Sequence, residues 1–197
     1  VLEPGIDLDQ DLFERLLAGA EDRLDLLAER LELPDELENT LVSVGRRTDA
    51  ERLVDRLGEL GWTVAVAESL TGGLVTASIV AVSGASRVLR GGVVAYATDV
   101  KASLLGVDET LLSAHGPVHP RVARQMAEGV RRVLGHEGVP ADIGIATTGI
   151  AGPVSADGQP VGTVHLAVST PLGSRVESLQ LEGDRDGIRA ESAARAL

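Results

Sequence analysis

Two hydrophobic rhythms alternate along this chain, one repeating every three to four residues and one nearly continuous, and they predict an order of elements. Ala50, Leu53, Val54, Leu57 and Leu60 share one helical face. "TDAE" at 48–51 is a capping box in front of that face, and Gly61 suits the residue that closes it. "WTVAVA" (62–67) reads as a buried strand, and "TGGLVTASIVAV" as a helix beginning near Thr71. "GGVVAYA" (91–97) is a second strand. "PRVARQMAEGVRRVLG" follows as a helix with Val122, Met126, Val130 and Val133 inward. "ADIGIATTG" and "VGTVHLAVST" are apolar strands, "RVESLQLEG" alternates like an edge strand, and residues 186–197 close as a helix. Ahead of all these, Leu12, Leu16, Ala20, Leu24, Leu27 and Leu31 make one face of an amphipathic helix that Pro34 should end.

Strands alternating with helices predict a three-layer α/β/α sandwich around a partly parallel central sheet. The expected division is an acidic helical extension over 1–48 and one α/β domain over 49–197. In such sheets ligands bind beyond the carboxyl ends of the strands. Three stretches leave strand ends as expected loops: "ESLTGG", "YATDVK" and "TTGIAGP".

Composition narrows the chemistry. The chain is 44% hydrophobic but only 2% aromatic, so its core must be built from Val, Leu, Ile and Ala. Residues 1–60 carry 17 acidic and 7 basic side chains, whereas 61–197 carry 13 and 11. Neither part offers the basic stripe of a duplex-binding protein, so nucleic acid is not an expected direct partner. No apolar run reaches the roughly 18 residues that span a bilayer, and the acidic N-terminus does not read as a signal peptide. A cytoplasmic location is expected. The absence of cysteine excludes disulfides, thiolate metal sites and a cysteine nucleophile. The low-aromatic core and the N-terminal helix lead us to expect a homodimer.

Tyr96 and Lys101 are the chain's one tyrosine and its one lysine; the other 17 of its 18 basic residues are arginine. Chance places a rare residue somewhere, but lysine can lose its proton when desolvated and arginine effectively cannot. "AESLTGG" (67–73) sets a serine at a strand-to-helix turn followed by two glycines. Such a turn can bind a phosphate or form an oxyanion hole beside a serine nucleophile, and Ser69 or Thr71 can equally serve as a helix cap. It is neither a Walker A loop nor a GxGxxG fingerprint. "TTGIAGP" (147–153) ends its strand with hydroxyls and glycines, which suit a structural turn as well as a substrate clamp. "EGDRDGIR" (182–189) carries two arginines four residues apart, suited to phosphate recognition or to pairing with Asp184 and Asp186. His115, His119, His136 and His165 lack metal-ligand spacing, and "HGPVH" reads as turn and cap residues. No protein-built metal site is expected.

Taken in order, "AESLTGG", "GGVVAYATDVKASLLGVDETLLSAHGPV", "TTGIAGP", "QPVGTVHLAV" and "EGDRDGIR" resemble the C-terminal domain of the CinA (competence/damage-inducible) family, from about residue 50 onward. Members of that family include nicotinamide mononucleotide (NMN) deamidases, which hydrolyse the carboxamide to nicotinic acid mononucleotide and ammonia. The resemblance implies Ser69 as nucleophile, with Tyr96 and Lys101 as its catalytic partners. It implies substrate binding by the turn Leu70, Thr71, Gly72 and Gly73, by Thr148 and Gly149, and by Arg185. The amides around Leu70–Gly72 would supply an oxyanion hole, Tyr96 would hydrogen-bond within the Ser–Lys pair, and no cofactor is required. The alternatives are a catalytically weak nucleotide-binding module and a protein-interaction role in competence or DNA damage. The chain departs from the family's usual residues at Leu70, Thr98, Asp99 and His119, and in "VSADGQ".

Overall fold

The structure, a computed structural model, describes residues 47–155 and 158–197. The expected helix over 12–31 lies outside the described residues. Those described form six α-helices and five strands: α1 (Asp49–Leu60), β1 (Val64–Glu68), α2 (Leu74–Val80), β2 (Leu89–Val94), α3 (Thr98–Ser103), α4 (Glu109–His115), α5 (Pro120–Val133), β3 (Ile143–Gly149), β4 (Thr163–Thr170), β5 (Gly173–Gln180) and α6 (Arg185–Arg195). A single 3₁₀ turn at Ala85–Arg87 leads into β2.

The sheet runs β2-β1-β3-β4-β5. β1 lies parallel to both β2 and β3, whereas β4 and β5 continue antiparallel. The sheet is therefore mixed, as its predicted elements imply, and β5 is an edge strand with mostly exposed side chains. The Thr48 capping box and the left-handed Gly61 close α1 at its two ends.

Alternation along each strand sorts side chains into two cores. Val64 and Val66 of β1, Ile145 of β3, and Val164 and Leu166 of β4 meet Val54 and Leu57 of α1, Val75 and Ile79 of α2, and Ile188 of α6. On the other face, Ala65, Ala67, Ala146 and Ala167 meet Val122, Met126 and Val130 of α5 with Leu105 and Leu111. The sandwich thus has helices on both faces of its sheet. On the α5 face the strands carry alanine and glycine, because the helix sits close. A Cβ at Gly144 would run into the carbonyl oxygen of Ala127 in α5.

Two sequence expectations need correction. α2 begins at Leu74 rather than near Thr71, because Gly72 (φ 61°) and Gly73 (φ 103°) adopt the left-handed region and hold a turn open before the helix. "YATDVK" is a loop only as far as Ala97; Lys101 stands on α3. α3 and α4 are too short to show a hydrophobic period, which is why the pattern did not resolve them.

Substitution of Gly144 by Ala is expected to lower the unfolding free energy by about 1–3 kcal/mol, since the obstacle is backbone and cannot rotate away. Urea denaturation of the two proteins measures it.

Candidate active site

The site grows out of the carboxyl end of β1. Even-numbered positions of that strand face α1, α2 and α6, and odd-numbered ones face α5. Glu68 therefore turns toward α2 and Ser69 toward the opposite side. Glu68 has no exposed surface. Its carboxylate accepts from the backbone N–H of Gly73, Val75 and Thr76 at 2.8, 3.1 and 2.8 Å, and from the Thr76 hydroxyl at 2.6 Å. These donors are the unpaired amides of the first turn of α2, where a negative charge is favoured. Gly73 stands at the N-cap with no side chain to offer, so Glu68 is the cap. Neither Ser69 nor Thr71 serves as one.

Ser69, 8% exposed, lies beside Lys101, which is 1% exposed. Lys101 Nζ donates to Ser69 Oγ at 2.8 Å and to the Ala95 carbonyl at 2.5 Å. Three elements make this meeting: the β1 end carries Ser69, the β2 end carries Ala95, and α3 carries Lys101. The Ser69 amide donates to the Thr147 carbonyl of β3 at 3.0 Å, and the Ala95 amide to the Glu68 carbonyl at 2.8 Å. The backbone that carries the hydroxyl is thus tied to β3 on one side and to the end of β2 on the other. Burial disfavours the charged form of a lysine, and an amine in its neutral form is a base.

The turn after Ser69 is internally knotted. The Gly72 amide donates to the Ser69 carbonyl at 3.1 Å. That bond removes Gly72 from the expected set of oxyanion donors. Thr71 has no exposed surface, and its hydroxyl pairs with that of Thr147 at 2.8 Å. It supports the turn rather than a ligand. Among the described residues the amides of Leu70 and Thr71 find no acceptor.

Tyr96 lies elsewhere than expected. Ala95 points into the α5-side core, so the next residue points to the opposite face. There Tyr96 is 62% exposed, and Arg185 Nη2 donates to its hydroxyl at 3.2 Å. Its hydrogen bond is with Arg185 instead of the Ser69–Lys101 pair. Arg185 Nη1 also donates to the Gly152 carbonyl at 2.5 Å, tying the β2 and β3 loops to the start of α6. Thr148 is buried with its hydroxyl donating to the Pro117 carbonyl at 2.9 Å, and Gly149 ends β3 opposite Val164. Thr148 therefore fixes the "HGPVH" turn, which Gln159 Nε2 also holds through the Val118 carbonyl at 2.6 Å.

Histidines gather on the Thr148 side. His115 stacks on His119 with ring centroids 4.7 Å apart, and His119 caps α5 by accepting from the Arg121 amide at 3.2 Å. His165 is cross-strand from Thr148 and shares a hydrogen bond with Ser178 Oγ at 2.9 Å. Burial lowers the proton affinity of both His119 and His165. His115 and Arg121 add to the effect on His119, and His119 adds to it on His165. Among the described residues no group of three acidic or histidine side chains is placed to hold a metal ion, and no helix is long and apolar enough to cross a membrane.

Glu68, the Ala95 carbonyl and the Thr71–Thr147 pair were not singled out by sequence reasoning; Arg189 was, for phosphate or for Asp186, but not for the Leu70 and Thr71 carbonyls that it reaches. For Glu68 the signal was available: an acid at the last position of an apolar strand, five residues before the glycine that caps the next helix.

A sandwich of this kind, with a buried serine–lysine pair beyond its parallel strands, is the class of protein that fold and site define. Residues 46–197 match the family model for the CinA C-terminal domain, and the chain belongs to the CinA family. A CinA-like protein of Frankia casuarinae is 51% identical over 135 residues, 68% of this chain and 30% of its own length. A CinA-like protein of Acidobacterium capsulatum is 39% identical over 193 residues, 98% of this chain and 45% of its own length. The chain thus spans less than half the length of these relatives. Among solved structures, a competence-damaged protein (CinA) superfamily member from Klebsiella pneumoniae superposes with a TM-score of 0.70 at 30% identity, covering 75% of this chain and 89% of that one. The competence/damage inducible protein CihA from Agrobacterium tumefaciens gives 0.69 at 34% identity, covering 75% and 88%.

Two outcomes are expected. Glu68→Ala should cost on the order of 3 kcal/mol in unfolding free energy, because it strips several charge-assisted bonds from a buried turn at once. The histidines act through pH. Their unfolded rings take up protons near the ordinary value of 6.5, before the folded ones do. Stability should be full above that pH and fall as pH drops below it. Urea midpoints measured from about pH 7.5 to 5.5 should show this decline, and His165→Gln should flatten it.

Proposed function

We propose that the protein is an amidase acting on NMN, converting its carboxamide and water to nicotinic acid mononucleotide and ammonia. The supporting observation is the 2.8 Å approach of Lys101 Nζ to Ser69 Oγ in a site where the lysine is almost wholly buried. Serine needs a base, and among the described residues that touch Ser69 Oγ the amine of Lys101 is the one able to take a proton.

In this reading Lys101 is neutral before the reaction, with one N–H directed at the Ala95 carbonyl, and the 2.8 Å contact with Ser69 reverses so that the hydroxyl donates to the amine's lone pair. Ser69 Oγ attacks the carboxamide carbon as its proton passes to Lys101. The new oxyanion develops beside the Leu70 amide, the N–H that immediately follows the nucleophile. Collapse breaks the C–N bond, and the leaving nitrogen takes the proton from Lys101 to depart as ammonia. Water then attacks the acyl-enzyme, again giving a proton to Lys101. That proton returns to Ser69 Oγ as the acid is released. Neither metal nor cofactor enters this scheme.

The substrate's phosphate falls to Arg185, which stands at the mouth with Tyr96. Tyr96 becomes a wall of that mouth and a partner of the guanidinium, instead of a relay inside the pair. Thr148 shapes the opposite wall through Pro117.

Ammonia release from NMN by the purified protein tests the reading. Ser69→Ala should abolish it, and Lys101→Met, which keeps the volume without the base, should lower kcat at least about 100-fold. Release that persists in Lys101→Met would move the base elsewhere. NMN binding without any release would leave a nucleotide-binding module.

A further inference from the structure

α6 touches all three loops at the strand ends. Arg185 reaches Tyr96 and Gly152, and Arg189, one turn further along, reaches the turn that follows the nucleophile. Arg189 Nε donates to the Leu70 carbonyl at 3.0 Å and Nη2 donates to the Thr71 carbonyl at 3.2 Å. Its third nitrogen, Nη1, faces Asp186 Oδ1 at 3.4 Å. A planar guanidinium can hold two successive carbonyls at once, and an ammonium on a flexible stem cannot reproduce that fork.

A trans peptide is planar, with its N–H antiparallel to its C=O. Pinning the Leu70 carbonyl toward α6 therefore directs the N–H of the same peptide, that of Thr71, away from α6. Pinning the Thr71 carbonyl does likewise for the Gly72 amide, which is spent on the Ser69 carbonyl. With Glu68 holding the far end of the turn at Gly73, the segment from Leu70 to Gly72 is fixed from both sides. The Leu70 amide inherits its direction from these neighbours. Packing of α6 itself does not depend on Arg189: Ile188 and Ala193 bury the helix, whereas the Arg189 side chain is 27% exposed.

We propose that Arg189 is a positioning residue for the reaction, setting the direction of the oxyanion-stabilising amides after Ser69 without touching the substrate. The inference rests on the amide-hydrolysis reading given above.

The test compares the unmutated protein with Arg189→Ala and Arg189→Lys. A displacement of about 1 Å in such a constellation lowers turnover on the order of 100-fold. Arg189→Ala should therefore lose about 100-fold in kcat for NMN, with KM changed less than about threefold. Guanidinium ion at tens of millimolar, far below denaturing concentrations, should restore about a tenfold share. Arg189→Lys should stay well below the unmutated protein. The proposal is overturned by a kcat within about twofold of unmutated in Arg189→Ala, or by a loss that guanidinium does not recover. If Arg189→Ala does not fold, Arg189→Lys decides: full turnover there means the charge alone suffices, and the fork is wrong. Sulfonylation of Ser69 by phenylmethanesulfonyl fluoride, followed by mass spectrometry, separates the two readings. If the unmutated protein releases no ammonia from NMN, the substrate assignment fails by itself. Slower Ser69 labelling in the Arg189 variants would then still support the positioning role, and equal labelling would end it.

Discussion

A strand covered by helices on both faces must send successive side chains to opposite sides, and β1 keeps that rule beyond its last apolar residue. Val66 and Glu68 go one way, Ala67 and Ser69 the other. The two functions of the β1 end are separated by this alternation alone. The acid steadies the helix that follows, and the hydroxyl is delivered to the lysine. A slip of one residue would exchange them, placing a carboxylate against Lys101 and a serine at the helix end. The parallel ladders on each side of β1 hold the register that prevents this.

The lysine is the second demand made on the fold. A buried ammonium is costly, and the protein gives Lys101 a carbonyl and a hydroxyl to bond. Arginine in its place would stay charged at any accessible pH. Among the described residues it is arginines that do the surface pairing and clamping, such as the forks from α6. The division of labour between the two basic residue types is a division between permanent and removable charge.

The long elements were legible because each carries a full hydrophobic period or an unbroken apolar run. α1, α5, β1, β3 and β4 belong to that set, and so does the capping box of α1. α3 and α4 were not legible, since six or seven residues give too few turns for periodicity to register. The candidate site was half legible. Residue chemistry and motif resemblance brought Ser69 and Lys101 forward, and the fold places them together. Tyr96 was expected beside the pair because the family resemblance put it there, whereas the pleat turns it to the Arg185 side. Thr71 and Thr148 looked available because hydroxyls beside glycines resemble binding groups; their bonds to Thr147 and Pro117 are long-range and leave no trace in a local pattern. Arg189 and the Leu70 carbonyl are separated by 119 residues, beyond anything spacing can report.

The uniqueness of Lys101 reaches past the reaction. A chain with a single ε-amine is, for the chemist, a molecule with one address. Among side-chain amines an isotopically labelled methyl group can enter at that nitrogen alone, its signal distinct from that of the chain's α-amino group. The resulting signal reports the protonation and solvent access of one buried atom, free of the background that other proteins' lysines impose.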